Sequence, residues 1–264
     1  MELSLLQIVV LAVVQGVTEF LPISSSGHLV IVAGLMAPDG NPAHFDVADV
    51  SVMLHAGTLL SIVVFYWQRL WRLLGADRRA LLVLLVGSIP AAVIGITVEL
   101  KFASLLENAL LAGCMLPLTG VVLLLADRAP LGEKNYARLG VGRALAVGFA
   151  QAVALLPGVS RSGMTISAGI GVGLSREQAA AFSFLLAVPT IGGAALLKVK
   201  TLAEATGPTT PPLHLAIGMA VSFVVGLVSL WWLVRWLQTG RLHLFAWWCI
   251  PVGVAVIVWQ LLGS

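Results

Sequence analysis

Residues 15–28 read QGVTEFLPISSSGH, and residues 155–165 read LLPGVSRSGMT. Each is a Pro- and Ser-rich break between two apolar arms, residues 4–21 and 24–36 in the first case, 144–156 and 163–174 in the second. The later arms hold only 12 or 13 residues. At 1.5 Å per residue such a helix reaches about 20 Å, too short to cross a bilayer core of about 30 Å. Each pair therefore predicts a re-entrant hairpin with its broken tip near the membrane midplane. Polar, non-helical backbone survives at that depth only when buried in protein or lining a wet cavity, so the two tips predict a common cavity.

The rest of the chain agrees with a membrane setting. Of 264 residues, 59% are hydrophobic and 10% charged, with a net charge of +3 and a mean hydropathy of +1.02. A soluble domain carries roughly 25% charged residues, so a soluble enzyme is excluded, and so is a disordered chain. A transmembrane β-barrel would alternate apolar and polar residues, whereas these runs are continuously apolar. Six runs reach spanning length, near 50–67, 80–98, 109–126, 178–197, 213–234 and 244–263. The fold class predicted is an all-α polytopic membrane protein, six spanning helices plus two re-entrant hairpins. The N-terminus lacks the basic region of a cleavable signal peptide, so the first run is expected to stay. Cys114 and Cys249 both lie in apolar runs and read as buried thiols, with no metal-thiolate spacing. Seven tryptophans, Trp67, Trp71, Trp231, Trp232, Trp236, Trp247 and Trp248, sit near span ends, as interfacial anchors do.

The tips themselves form an internal repeat. Pro22 to Gly27 lies against Pro157 to Gly163 with one residue inserted, and VVQGVTEFLP upstream is similar to FAQAVALLP. This predicts a single integral domain of inverted repeats, approximately 1–126 and 141–264. Charge supports the inversion. Loops 69–79, 127–143, 175–177 and 235–241 carry 11 of the 15 Lys+Arg, while Lys101, Lys198 and Lys200 fall on the other side beside Asp39, Asp46 and Asp49. The positive-inside rule puts the basic loops in the cytoplasm, so hairpin one opens outward and hairpin two inward, with a site shared at the midplane.

Arg161 is the remaining cation and the one placed away from a boundary. An Arg at that depth costs about 2.5 kcal/mol or more and demands a partner. Glu19 on the other tip is one candidate, as a pin between hairpins; an anionic substrate is the other. Ser24, Ser25 and Ser26 open one inner helix, Ser160 and Ser162 the other, and helix N-termini offer free N–H groups and a positive dipole end. With Gly27, Gly163 and Thr165 they form a candidate phosphate site, although any one serine alone reads first as an N-cap. Gln15 and Glu19 share a helix face, and a carboxylate facing phosphate needs a cation between, which suits Mg²⁺ or Ca²⁺. Gln15 also reads as an interhelical hydrogen bonder. His28, three residues after Ser25 and four after Ser24, is placed to assist a hydroxyl nucleophile. His55 reads as a packing residue.

QGVTEFLPISSSGH and LLPGVSRSGMT resemble the two signature segments of the bacterial undecaprenyl-pyrophosphate phosphatases, the bacitracin-resistance family, and the resemblance covers the whole chain. It implies removal of one phosphate from a C55 isoprenoid pyrophosphate, recycling the lipid carrier for cell-wall synthesis. It also implies dependence on a divalent cation and a site reached from the outer face of the bacterial cytoplasmic membrane. By resemblance the nucleophile falls on Ser25, the signature histidine on His28, the acidic signature on Gln15 and Glu19, and the phosphate-binding arginine on Arg161 within Pro157 to Thr165. Gln15 stands where many members have Glu, a weaker metal ligand. Expected partners are the polyprenyl pyrophosphate, membrane lipid and a second copy in a homodimer, with no nucleic acid. Either a phosphoserine on Ser25 or direct attack by water fits these residues. The rival reading is a transporter or lipid flippase, since inverted repeats with broken helices also build midplane transport sites.

Overall fold

The computed structural model describes residues 3–37, 48–102, 108–130, 132–204 and 210–262. Asp39, Asp46 and the side chains of Asp49, Lys198 and Lys200 lie outside what is described. The described residues form α1 (Leu5–Thr18), α2 (Ser25–Met36), α3 (Ala48–Phe65), α4 (Trp67–Leu74), α5 (Arg78–Phe102), α6 (Ala109–Asp127), α7 (Val141–Val153), α8 (Arg161–Gly171), α9 (Arg176–Glu204), α10 (Pro212–Leu237) and α11 (His243–Leu262). Five helices are long and apolar enough to cross a membrane: α5, α6, α9, α10 and α11. The sixth is α3, whose run is broken: the chain bends by 76° and continues as α4. The span read at 50–67 therefore stops at Phe65. Arg69 and Arg72 cannot continue an apolar column, and Trp67, Trp71 and Leu74 are exposed beside them, the make-up of an interfacial segment.

Both hairpins break where the sequence predicts. α1 ends at Thr18 ahead of Pro22, and α7 ends at Val153 ahead of Pro157; a proline removes a helix donor and pushes the preceding residue out of the helical region. Each inner helix restarts on a serine cap, with Ser24 Oγ accepting from Gly27 N and Ser160 Oγ accepting from Gly163 N.

The two halves of the chain pack with matching neighbours. α1 lies on α10 as α7 lies on α5, α1 holds α2 as α7 holds α8, and α6 packs on α11 and α3 on α9 across the pseudo-symmetry. Without water to drive association, small residues let these helices approach. A Cβ on Gly57 would strike Met219 O and Ser222 Oγ, and one on Gly253 would strike Pro117. Ser222 Oγ donates to Leu54 O at 3.0 Å and Ser61 Oγ to Phe223 O at 2.8 Å, sealing α3 to α10.

The four basic loops meet at one end of the bundle. Arg69 pairs with Glu177 at 3.0 Å, and Arg176 pairs with Asp127 at 3.3 Å. Asp127 also accepts from Leu242 N, and Lys134 N donates to Gly173 O. The sequence reading places these four loops on one side, and they do meet.

Candidate active site

The last turn of α1 carries Gln15 and Glu19 on one face. Glu19 is buried, and Gln15 Nε2 donates to its Oε2 at 3.0 Å. At the start of α2, Ser25 Oγ donates to the same oxygen at 2.6 Å. From the other hairpin, Arg161 Nη2 donates to Glu19 Oε1 at 2.5 Å. One carboxylate thus gathers a hydroxyl, an amide and a guanidinium from both tips. The two tips also touch directly: Ser162 Oγ donates to Leu21 O at 3.1 Å, and a Cβ on Gly27 would come within 3.0 Å of Gly158 Cα.

Two buried atoms in this cluster have no hydrogen-bond partner among the described residues, Gln15 Oε1 and Arg161 Nη1. Buried polar groups are nearly always paired, so unpaired ones call for an explanation. Here one is an acceptor beside a carboxylate and the other a cationic donor. A ligand that brings both a phosphate and a metal ion satisfies both.

Ser24, the cap just before Ser25, has φ 72° and ψ 99°, and is the one non-glycine residue with positive φ among the described residues. Such a conformation costs roughly 1–3 kcal/mol and persists only where the surroundings impose it. Its carbonyl accepts from His28 N at 3.2 Å and from His28 Nδ1 at 2.7 Å.

His28 does not stand beside the Ser25 hydroxyl as the sequence spacing suggested. Its Nε2 accepts from the Trp248 indole N–H at 3.0 Å. A carbonyl only accepts and an indole N–H only donates, so the ring is the neutral Nδ1–H tautomer with both nitrogens engaged. Ser25 is served instead by Glu19. His55, read as packing, has its Nε2 3.9 Å from Glu19 Oε2, while its Nδ1 bonds Ser51 O at 2.8 Å.

On the second tip, the hydroxyls beside Arg161 are engaged within the protein. Ser160 Oγ lies 3.2 Å from Ser162 Oγ and serves as the cap, and Ser162 is spent on Leu21. Thr165 points away from the cluster: its Oγ1 donates to Arg161 O at 2.7 Å and meets Ser183 Oγ at 2.5 Å. Gly163 packs near Ser160 and Pro22. On the first tip, Ser26 Oγ is 3.4 Å from Ser24 Oγ and remains half-buried. Thr119 of α6, which nothing in the sequence singled out, accepts from Ser160 N and donates to Gly158 O, both at 3.0 Å.

Among the described residues, no three His, Cys, Asp or Glu side chains group as a metal site. The oxygen donors on offer are Glu19 and the unpaired Gln15 Oε1, a set that suits a hard cation if substrate oxygens complete its shell.

Comparison with known proteins adds a second line of observation. The profile described as Bacitracin resistance protein BacA matches residues 8–255. A protein of Rhodopirellula baltica named undecaprenyl-diphosphatase is 49% identical over 98% of this chain and 99% of its own length. Proteins of the same name from Pelotomaculum thermopropionicum and Corynebacterium efficiens are 38% and 37% identical, over 97% and 99% of this chain and 97% and 92% of their own.

Proposed function

The chain belongs to the bacitracin resistance protein BacA family, and from that membership we infer that it is an undecaprenyl-diphosphatase. It hydrolyses undecaprenyl diphosphate to undecaprenyl phosphate and inorganic phosphate in the bacterial inner membrane, returning the lipid carrier to cell-wall synthesis. The observation that carries the chemical reading is the contact of Ser25 Oγ with Glu19, held by Arg161 from the opposite hairpin.

In this reading Ser25 Oγ attacks the terminal phosphorus while Glu19 takes its proton. The bond from that phosphorus to the bridging oxygen breaks, and undecaprenyl phosphate leaves. Water then hydrolyses the phosphoserine, releasing inorganic phosphate and regenerating Ser25. Arg161 divides its fork, Nη2 on Glu19 and Nη1 on a phosphate oxygen, which places positive charge where the transferring group carries its negative charge. The first-turn amides at Ser25 and Ser26 add to it, since no carbonyl of their own helix can reach them. Mg²⁺ or Ca²⁺ would be held by Glu19 and Gln15 and would neutralise phosphate charge. His28 positions the turn and transfers no proton.

The isoprenoid tail lies between helices facing lipid, with the diphosphate reaching the tips through the mouth of hairpin one on the periplasmic side. That direction rests on the basic loops marking the cytoplasmic end. The inverted repeats, residues 1–126 and 141–264, act as one integral domain because Glu19 and Arg161 come from different halves. Glu19, Ser25 and Arg161 all come from one chain, so each copy in a homodimer would carry its own set.

The test is purified, detergent-solubilised protein incubated with a polyprenyl diphosphate and Mg²⁺ or Ca²⁺, followed by rapid acid quench and peptide mapping. Released phosphate together with a transient phosphoserine at Ser25 is the expected result. Phosphate release with full turnover in Ser25→Ala would eliminate the covalent route, and no release at all would favour transport.

A further inference from the structure

The Trp248 indole is tied into the turn that carries Ser25. Trp248 lies on α11, 52% exposed on the outside of the bundle, yet its N–H turns inward onto buried His28, with the two rings within 12° of parallel. The two partners are 220 positions apart in the chain. His28 in turn places two donors, its backbone N and Nδ1, on the single carbonyl of Ser24.

That carbonyl belongs to the peptide joining Ser24 to Ser25. In a trans peptide the C=O and N–H point in opposite directions. Holding the Ser24 oxygen against His28 therefore fixes the direction of the Ser25 N–H and the point at which Ser25 leaves the turn. The positive φ of Ser24 needs such a restraint, since a serine released from it relaxes to an ordinary conformation. Were Nε2 left unpaired, the imidazole could rotate and give up the Ser24 carbonyl.

We infer that Trp248 is a positioning residue for the hydrolytic centre: its N–H locks the His28 ring, and the locked ring holds the Ser24 turn that aims Ser25 at the phosphate. The inference rests on the reading of Ser25 as the phosphate-facing nucleophile, and it predicts a cost in turnover more than in binding.

Trp248→Phe retains an aromatic ring at a half-exposed position and removes only the donor. Its kcat is expected to fall about tenfold, the scale of one lost hydrogen bond, with KM within about twofold of wild type. In a His28→Ala background the same substitution should cost nothing further, because the link it breaks is already gone. In full-length protein labelled with ¹⁵N-histidine, Trp248→Phe should move the resonance that His28→Ala removes and leave the other histidines in place. Wild-type kcat in Trp248→Phe, or a full tenfold loss persisting without His28, overturns the inference. Ser25→Ala measured in parallel separates the two levels: if it keeps wild-type turnover, the nucleophile assignment falls, whereas the histidine resonance still judges the link.

Discussion

The two hairpins share a plan and divide the labour. Each is a short helix, a proline break and a serine-capped inner helix, and each outer helix carries a glutamine at the same place, Gln15 in one and Gln151 in the other. Four residues on, the first has Glu19 and the second Leu155, which packs toward Gly95 of α5. At the tip, Ser25 of the first stands where the second has Arg161. In the mechanism proposed above, one hairpin would hold the nucleophile and its base and the other the cation. The same backbone device, used twice, brings a carboxylate and a guanidinium to one point.

The glutamines make the division sharp. Among the described residues, Gln15 bonds Glu19 and keeps one oxygen unpaired beside a carboxylate, whereas Gln151 is buried with neither amide atom paired. The largest effect that would test this division is at the nucleophile. Ser25→Ala should lower turnover by at least about a thousandfold at unchanged stability, measured as phosphate release and thermal unfolding in detergent. Gln15→Leu comes next: it should raise the divalent-cation concentration needed for half-maximal rate by about tenfold. Thr119→Val, which frees the second tip at Gly158 and Ser160, should cost about 1–2 kcal/mol of stability and slow turnover only a few-fold. Gln151→Leu should have the smallest effect and the opposite sign, a gain of about 1 kcal/mol with turnover unchanged, since it removes a buried amide that lacks partners. If Gln151→Leu were as damaging as Gln15→Leu, the halves would be functionally equivalent and the division would be wrong.

Much of this arrangement could be read from residue order. Run lengths separate spanning helices from re-entrant arms because bilayer thickness sets a threshold, and Pro22 and Pro157 mark the breaks because proline cannot continue a helix. The cost of an unpaired charge at depth makes Glu19 one of two candidate partners for Arg161, an anionic substrate being the other. What residue order could not supply is rotation and register between distant helices. His28 sits at the right spacing to approach Ser25, but its ring turns to Ser24 O and to Trp248, a residue that composition assigns to the interfacial belt. Thr119 is one hydroxyl among many in apolar helices, and only packing α6 against the second tip gives it two partners. His55 had one local signal, a serine four residues earlier in an apolar helix, and that signal fits a self-satisfied packing residue equally well.

The joint use of both hairpins is tested most directly at Arg161. Arg161→Ala and Arg143→Ala should be assayed side by side for phosphate release from a polyprenyl diphosphate, Arg143 being exposed near the start of α7. Arg161→Ala should lose about a hundredfold or more in rate while Arg143→Ala keeps wild-type turnover. Equal losses in the two variants, or an active Arg161→Ala, would contradict a diphosphate held between the two tips.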